Sequence, residues 1–324
     1  MKTNTYLLRT IALLASAAAA LATSSIATAD SAAAQVYTLT PSTHGNPEGV
    51  ASDGHAFYVG ATGDGTIYRG TLGDSTVEEF IPGAAGKSAV GLKVARGRLY
   101  VAGGATGAIT VYDLGSRQPV AAFATGAGGF LNDLAVTPSG DVFITDSFRP
   151  TLWHVTAAQV RSGSGTPEAI ALAPEITYTA GAFNVNGIVA LGERTLVVVQ
   201  SNTGALFRLD LQHNGRKIAQ IDADPVAGDG MLLDRGRLVV VAAGQLTFLD
   251  LDHRASRARI VATVTDPTLR GPSTIARLRD RYLVVNADFA TSTTPFTVSA
   301  LPRSDGRGGH DGLDDDDGDG GGDD

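Results

Sequence analysis

Six times along the chain a glycine-rich turn leads into two short apolar runs, and the residue ahead of the first run forms a column: Glu48, Val90, Asn132, Asn186, Asp229 and Ser273. The segments that start there read EGVASDGHAFYVG, VGLKVARGRLYVA, NDLAVTPSGDVFIT, NGIVALGERTLVVV, DGMLLDRGRLVVV and STIARLRDRYLVV, with successive starts 42, 42, 54, 43 and 44 residues apart. A fixed period of this length in units made only of strands specifies propeller blades. Within each unit a strand, a tight turn such as Asp53-Gly54 or Arg96-Gly97, and a second Val/Leu/Tyr/Phe-rich strand can be read.

A third strand follows in GTIYRG from Gly65, GAITVYD from Gly107, TLWHV from Thr151, GALFRLD from Gly204 and GQLTFLD from Gly244. A fourth is visible in TVEEFI from Thr76, PVAAFA from Pro119, EAIALA from Glu168 and RIVATV from Arg259. The sixth unit stops after PFTVSAL from Pro295, one strand short, and VYTLTP from Val36 is left over at the other end. Lending that strand to the last unit removes an exposed sheet edge. The predicted fold is therefore all-β: a six-bladed β-propeller of four-stranded blades, its ring closed by an N-terminal strand in the last blade. The 40 Gly and absence of Cys suit a turn-dense fold held by packing alone.

The chain divides into three parts. Residues 1–29 read as a signal peptide: Lys2 and Arg9 precede the apolar run TIALLASAAAALA, which is too short to span a bilayer, and Ala27-Thr28-Ala29 predicts cleavage after Ala29. Residues 30–302 form the propeller. Residues 303–324 form a tail that carries nine Asp and −7 of the formal net charge of −8, a composition expected to be disordered. Its Asp315, Asp317 and Asp319 before Gly320 match the opening of a calcium loop, but the closing glutamate is missing, so solubility or loose cation association is the expected role. A secreted monomer is expected, with no membrane span in the mature chain. Nucleic acid is excluded as a partner by the lack of a basic face.

The column carries the chemistry. In a propeller the starts of the inner strands ring the central channel, and four of the six positions bear oxygen donors of the type hard cations prefer: two carboxylates, Glu48 and Asp229, and two amides, Asn132 and Asn186. The competing reading is plain turn chemistry, since Asn-Gly and Asp-Gly are common turn signals. The second strands should end on the same face, which places Asp64, Asp146, Gln200 and Asn286 near the rim, the last three as candidate substrate contacts. The long third interval adds PEITYTAGAF from Pro174, from which Tyr178 or Phe183 would cover either the site or the packing between blades. No G-x-S-x-G elbow is present. The six histidines, His44, His55, His154, His213, His253 and His310, fall at unrelated positions of the repeat, which argues against a histidine-rich redox centre.

These units resemble the senescence marker protein-30, gluconolactonase and luciferin-regenerating-enzyme family of six-bladed propellers. The likeness lies in Glu48 of PEGV, Asn132 of LNDLAV, Asn186 of VNGIVA and Asp229 of GDGMLL, in that order, and extends over most of residues 46–290. It implies one divalent metal on the axis, calcium first among Ca2+, Zn2+, Mn2+ and Mg2+, with Glu48, Asn186 and Asp229 as direct ligands and Asn132 completing the shell or touching substrate. It also implies metal-assisted lactone hydrolysis, with Asp229 as ligand and general base. Sugar lactonases of this type carry an arginine two residues ahead of the N-D asparagine, where this chain has Phe130. Phe130 is thus a further candidate substrate contact, and the sugar pocket is in doubt. Two readings follow: a metal-dependent, lactonase-like hydrolase, or a secreted propeller that binds a small molecule or protein partner without turnover.

Overall fold

Each apolar repeat becomes an antiparallel meander, because its tight turns match the twist of the strands they join: Arg96-Gly97 (φ 53° and 71°) and Arg235-Gly236 (φ 51° and 80°) both hold the positive angles of a type I′ hairpin. The computed structural model describes residues 33–303 except 213, 214 and 243. The expected signal peptide and all of the tail but Arg303 lie outside these residues.

The chain opens with β1 (Gln35–Thr40). The first unit is β2 (Pro47–Ser52), β3 (Phe57–Ala61), β4 (Ile67–Gly70) and β5 (Thr76–Ile81). The second is β6 (Leu92–Ala95), β7 (Arg98–Ala102), β8 (Ala108–Asp113) and β9 (Pro119–Ala124). The third is β10 (Leu131–Val136), β11 (Val142–Asp146), β12 (Thr151–Val155) and β13 (Glu168–Ala171). The fourth is β14 (Val185–Ala190), β15 (Thr195–Gln200), β16 (Ala205–Gln212) and β17 (Gly215–Gln220). The fifth is β18 (Gly228–Asp234), β19 (Arg237–Ala242), β20 (Gln245–Leu251) and β21 (Ala258–Thr265). The chain ends with β22 (Pro272–Leu278), β23 (Arg281–Asn286) and β24 (Thr297–Pro302). One six-residue helix, Ala157–Ser162, is the only helix among the described residues.

Units two to five are separate four-stranded sheets, whereas the first and last are joined. β1 lies antiparallel to β24, as the leftover N-terminal strand was expected to, and also parallel to β5. The result is one eight-stranded sheet rather than two of four. The apolar cores sit between neighbouring units. One packs Val189, Val197 and Val199 of unit four against Met231, Leu238 and Val240 of unit five, and another packs Val50, Phe57 and Tyr68 of unit one against Leu278, Leu283 and Val298 at the chain's end. Each such aliphatic side chain contributes about 1.5–3 kcal/mol by leaving water. The first strands β2, β6, β10, β14, β18 and β22 touch in that order, and β22 touches β2. They surround a cavity of about 360 Å³, to which Ala51, Lys93, Ala135, Val189, Leu232 and Ala276 each contribute from a different first strand.

The C-terminal end is pinned by charge. Arg303 Nε donates to Asp234 Oδ2 at 2.5 Å, Tyr282 Oη donates to the same oxygen at 2.9 Å, and Arg277 lies 3.6 Å from Oδ1. Burial pushes the Asp234 carboxyl up, but these partners outweigh it and hold it below the ordinary carboxylate range. The unfolded chain therefore takes up this proton first as pH falls. The stabilisation is fully present above about pH 4 and is lost as pH drops through the depressed native value. Asp234→Asn should accordingly lower Tm at neutral pH, and the gap from wild type should close in melts run at progressively more acidic pH.

Candidate metal centre

The column residues owe their direction to a repeated backbone irregularity. In β2, Pro47 faces Ala61 and Val50 faces Val59, so Glu48 and Gly49 together oppose one residue. The same two-against-one bulge holds Asn132-Asp133 in β10, Asn186-Gly187 in β14, Asp229-Gly230 in β18 and Ser273-Thr274 in β22. Bulges of this kind re-aim side chains beside functional sites. The Asn-Gly and Asp-Gly pairs are thus strand bulges, not turns. Their glycines serve close packing: a Cβ on Gly187 would collide with the Asp229 carbonyl and lie 2.9 Å from Met231 Cγ, and one on Gly49 would collide with the Val90 carbonyl.

Where the second bulge residue has a side chain, that side chain bonds to the next unit. Thr274 Oγ1 donates to the Glu48 carbonyl at 2.7 Å and accepts from Val50 N at 3.0 Å, and Ser273 Oγ adds a second bond to the Glu48 carbonyl at 2.7 Å. Asp133 Oδ2 accepts from Ile188 N at 3.4 Å, while its Oδ1 lies 3.4 Å from Lys93 Nζ.

Glu48, Asn132 and Asn186 are buried, and each keeps one oxygen without a hydrogen-bond partner: Glu48 Oε2, Asn132 Oδ1 and Asn186 Oδ1. The amide groups are held the other way round. Asn132 Nδ2 donates to Ser147 Oγ at 3.0 Å, and Asn186 Nδ2 donates to Asp229 Oδ1 at 2.9 Å. Engaging each NH2 fixes which end of the amide stays free, and in both it is the acceptor. A buried acceptor without a donor costs about 1–3 kcal/mol, and three at equivalent positions of one repeat are what a cation would satisfy.

The charges agree. Burial first, then Asp229 and Asp133, drive the Glu48 carboxyl well above its ordinary value against the pull of Lys93. Asp229 keeps partial contact with solvent, yet protein crowds its carboxyl, and burial together with Asp133 pushes it up to about 7 despite the Asn186 hydrogen bond. With all three carboxylates ionised, as a bound cation would favour, the group facing Lys93 carries an excess of two negative charges, the complement of a divalent ion. Among the described residues no three His, Cys, Asp or Glu side chains form a metal-holding group by themselves, so the two asparagines are integral to the donor set. The set is all oxygen, which suits a hard ion.

No protein-family model and no curated protein matches the chain. Solved structures do. The gluconolactonase of Xanthomonas campestris superposes with a TM-score of 0.58 at 17% identity, over 81% of this chain and 87% of that one. The calcium-binding protein regucalcin of Agrobacterium tumefaciens gives 0.58 at 14% identity, over 79% and 90%. The Malassezia sympodialis allergen Mala s 1 gives 0.60 at 13% identity, over 79% and 92%. At these identities the likeness establishes the fold, an all-β, propeller-like assembly of four-stranded units.

The rim residues behave differently from the column. Asp146, Gln200 and Asn286 are buried and occupied in holding loops. Asn286 Nδ2 donates to the Thr268 carbonyl, Thr297 Oγ1 and Ser299 Oγ, and its Oδ1 accepts from Arg270 N. Gln200 Nε2 donates to the Thr177 carbonyl at 2.7 Å, and its Oε1 accepts from Thr203. Asp146 accepts from Arg149 Nε at 2.6 Å, from Trp153 Nε1 at 3.2 Å and from three backbone N–H groups. All three were expected as substrate contacts, but their engaged polar atoms give them a positioning role. Tyr178 likewise donates to the Asp146 carbonyl at 2.8 Å, while Phe183 packs on Phe130 and Phe148.

Asp133, Lys93 and Ser147 were not singled out from sequence. Asp133 had one signal, a carboxylate where four other units carry glycine. Ser147 had none, although it is fully buried and central: its Oγ accepts from Asn132 and donates to the Val185 carbonyl at 2.8 Å, and its N–H donates to the Phe130 carbonyl at 2.8 Å. Ser147→Ala leaves the Asn132 amide and the Val185 carbonyl unpaired, which should cost about 1–3 kcal/mol. In calorimetry this should appear as a Tm lower by several degrees, together with a weakened cation affinity. His154 is structural: its ring stacks on Phe143 at 4.5 Å and 10°, beside Glu168 and Asp141 in a cleft of about 800 Å³ lined from the hairpin-turn ends of these strands, opposite Asn132.

Proposed function

We propose that the protein is a secreted six-bladed β-propeller over residues 30–302 that holds one divalent cation on its axis, calcium foremost, and hydrolyses a lactone or ester there. The observation that carries this reading is the set of three unpartnered buried oxygens on Glu48, Asn132 and Asn186, grouped with the Asp229 carboxylate. The first strands' mutual contacts and the bond from Thr274 to Glu48 support a closed ring of six. Export rests on the leader sequence alone, with cleavage after Ala29.

Bound at these four side chains, a hard cation supplies a Lewis acid for the ester carbonyl and lowers the pKa of a water molecule. Asp229, the carboxylate of the donor set that Asn186 holds in place, would serve as the general base that accepts a proton from water. Asn186 fixes Asp229 through its Oδ1. Glu48 contributes the second negative charge, and Asn132, steadied by Ser147, offers a neutral oxygen. Asp133 and Lys93 set the field below them.

Hydrolysis of a lactone panel by the purified chain, before and after EDTA and with calcium, zinc, manganese or magnesium restored, tests this. Turnover that EDTA abolishes and one metal restores is expected. Stoichiometric metal binding without any turnover would leave the second reading, a propeller that binds a small molecule without chemistry. That reading is favoured by Phe130 standing where a substrate-clamping arginine was expected.

A further inference from the structure

The residues that Ser147 ties together are the asparagine side of the candidate cation site and three phenylalanines. Phe130 lies one residue ahead of β10, Phe148 follows Ser147, and Phe183 precedes Asn184, whose N–H donates to the Ser147 carbonyl at 3.1 Å. Their rings form a triangle with centroids 5.6 Å apart for Phe130–Phe148, 5.1 Å for Phe130–Phe183 and 5.0 Å for Phe148–Phe183. All three are only half-buried, unlike Phe57 and Phe248 within the cores between units. Phe130 also approaches Val90, the one apolar column residue: a Cβ on Gly104 would meet Val90 Cγ2 at 2.9 Å and Phe130 Cε2 at 3.4 Å.

This arrangement is built, not incidental. The fully buried Asp146 fixes two of the three backbones, its Oδ1 accepting from Phe130 N at 2.9 Å and Phe148 N at 3.2 Å. Three phenyl faces left partly in water, on the strand ends that carry Asn132 and Asn186, form an apolar wall beside a polar donor set. Such a wall rewards an apolar group and offers no partner to hydroxyls, which would lose their hydration without compensation.

We propose that Phe130, Phe148 and Phe183 determine the specificity of this site: they receive the aryl or alkyl substituent of a lactone or ester whose carbonyl meets the cation-binding oxygens, and they reject polyhydroxylated lactones. The assignment rests on the hydrolase reading of the same site.

Lactams resist hydrolysis, so they separate recognition from turnover. A 6-phenyl δ-lactam and gluconolactam are titrated calorimetrically into the full chain, with calcium binding measured on the same samples. The phenyl lactam should bind at least about tenfold more tightly than gluconolactam. Phe183→Ala should weaken the phenyl lactam about tenfold and leave calcium affinity within about twofold, with Phe148→Ala acting alike and Phe183→Leu retaining most of the affinity. Gluconolactam binding as tightly as the phenyl lactam, neither lactam binding, or Phe183→Ala leaving phenyl-lactam affinity intact in a folded variant would each overturn the proposal. Failure of calcium to bind would sink the metal reading alone, because the preference between the two lactams still reports on the phenylalanine wall.

Discussion

Replacing Asp229 by alanine should abolish stoichiometric calcium binding. The substitution removes one of the two carboxylates in the donor set and frees Asn186 Nδ2, which now donates to Asp229 Oδ1 at 2.9 Å, to turn toward other acceptors. Loss of a residue that merely orients a ligand costs ten- to a hundredfold in metal affinity, so loss of a charged ligand with its orienting bond should exceed about a hundredfold. Two melts make the effect visible. Calcium at a hundred times its Kd adds about 2.7 kcal/mol to the wild type, and nothing to the variant. In cation-free buffer the order should differ: the variant relieves repulsion with Glu48 and Asp133 and should melt no lower than the wild type. An unchanged calcium titration for Asp229→Ala would remove this residue from the site.

Gly187→Ala is expected to be among the most damaging additions of a single methyl group. At that position the added Cβ would collide with the Asp229 carbonyl and crowd Met231 Cγ at 2.9 Å, and neither atom belongs to a flexible surface side chain. The strands β14 and β18 must separate to admit it, which opens the core between units four and five and swings Asp229 away from Asn186. Overpacking of this sort costs typically 1–3 kcal/mol and more when backbone must move, so a fall of about 3 kcal/mol, or roughly 6–12 °C in Tm for a domain this size, is expected. Calcium binding should fall with it. A variant that melts like the wild type would show that the units are not seated as closely as Gly187 implies.

The column was legible because repetition made it so: six similar segments place Glu48, Asn132, Asn186 and Asp229 in register before any coordinates exist. The meaning of the following glycines was not. Asn-Gly reads locally as a turn, and only the neighbouring unit, brought against Gly187 by the tertiary fold, reveals it as a bulge packed on another strand. Asp146, Gln200 and Asn286 mislead for a related reason. Polar residues at strand ends signal a rim, but whether they face a ligand or their own loops depends on backbone groups that sequence does not locate. Ser147 was invisible because its partners, Asn132, Val185 and Phe130, belong to two different units. The phenylalanine triangle is similar: Phe130 attracted notice alone, while Phe148 and Phe183 join it only through folding.

The pairing of β1 with β24 sets Gln35 opposite Ala300, the two ends of the folded chain in one ladder. Every other antiparallel pairing joins strands that are neighbours in sequence, so each meander can form as soon as its own residues are available. The β1–β24 ladder cannot, because its two halves, from Gln35 and from Ala300, are separated by all the other strands. Folding should therefore finish in one slow, non-local step, and a chain stopped short of Thr297 should carry preformed meanders with open edges on β1 and β23 that invite association with other chains.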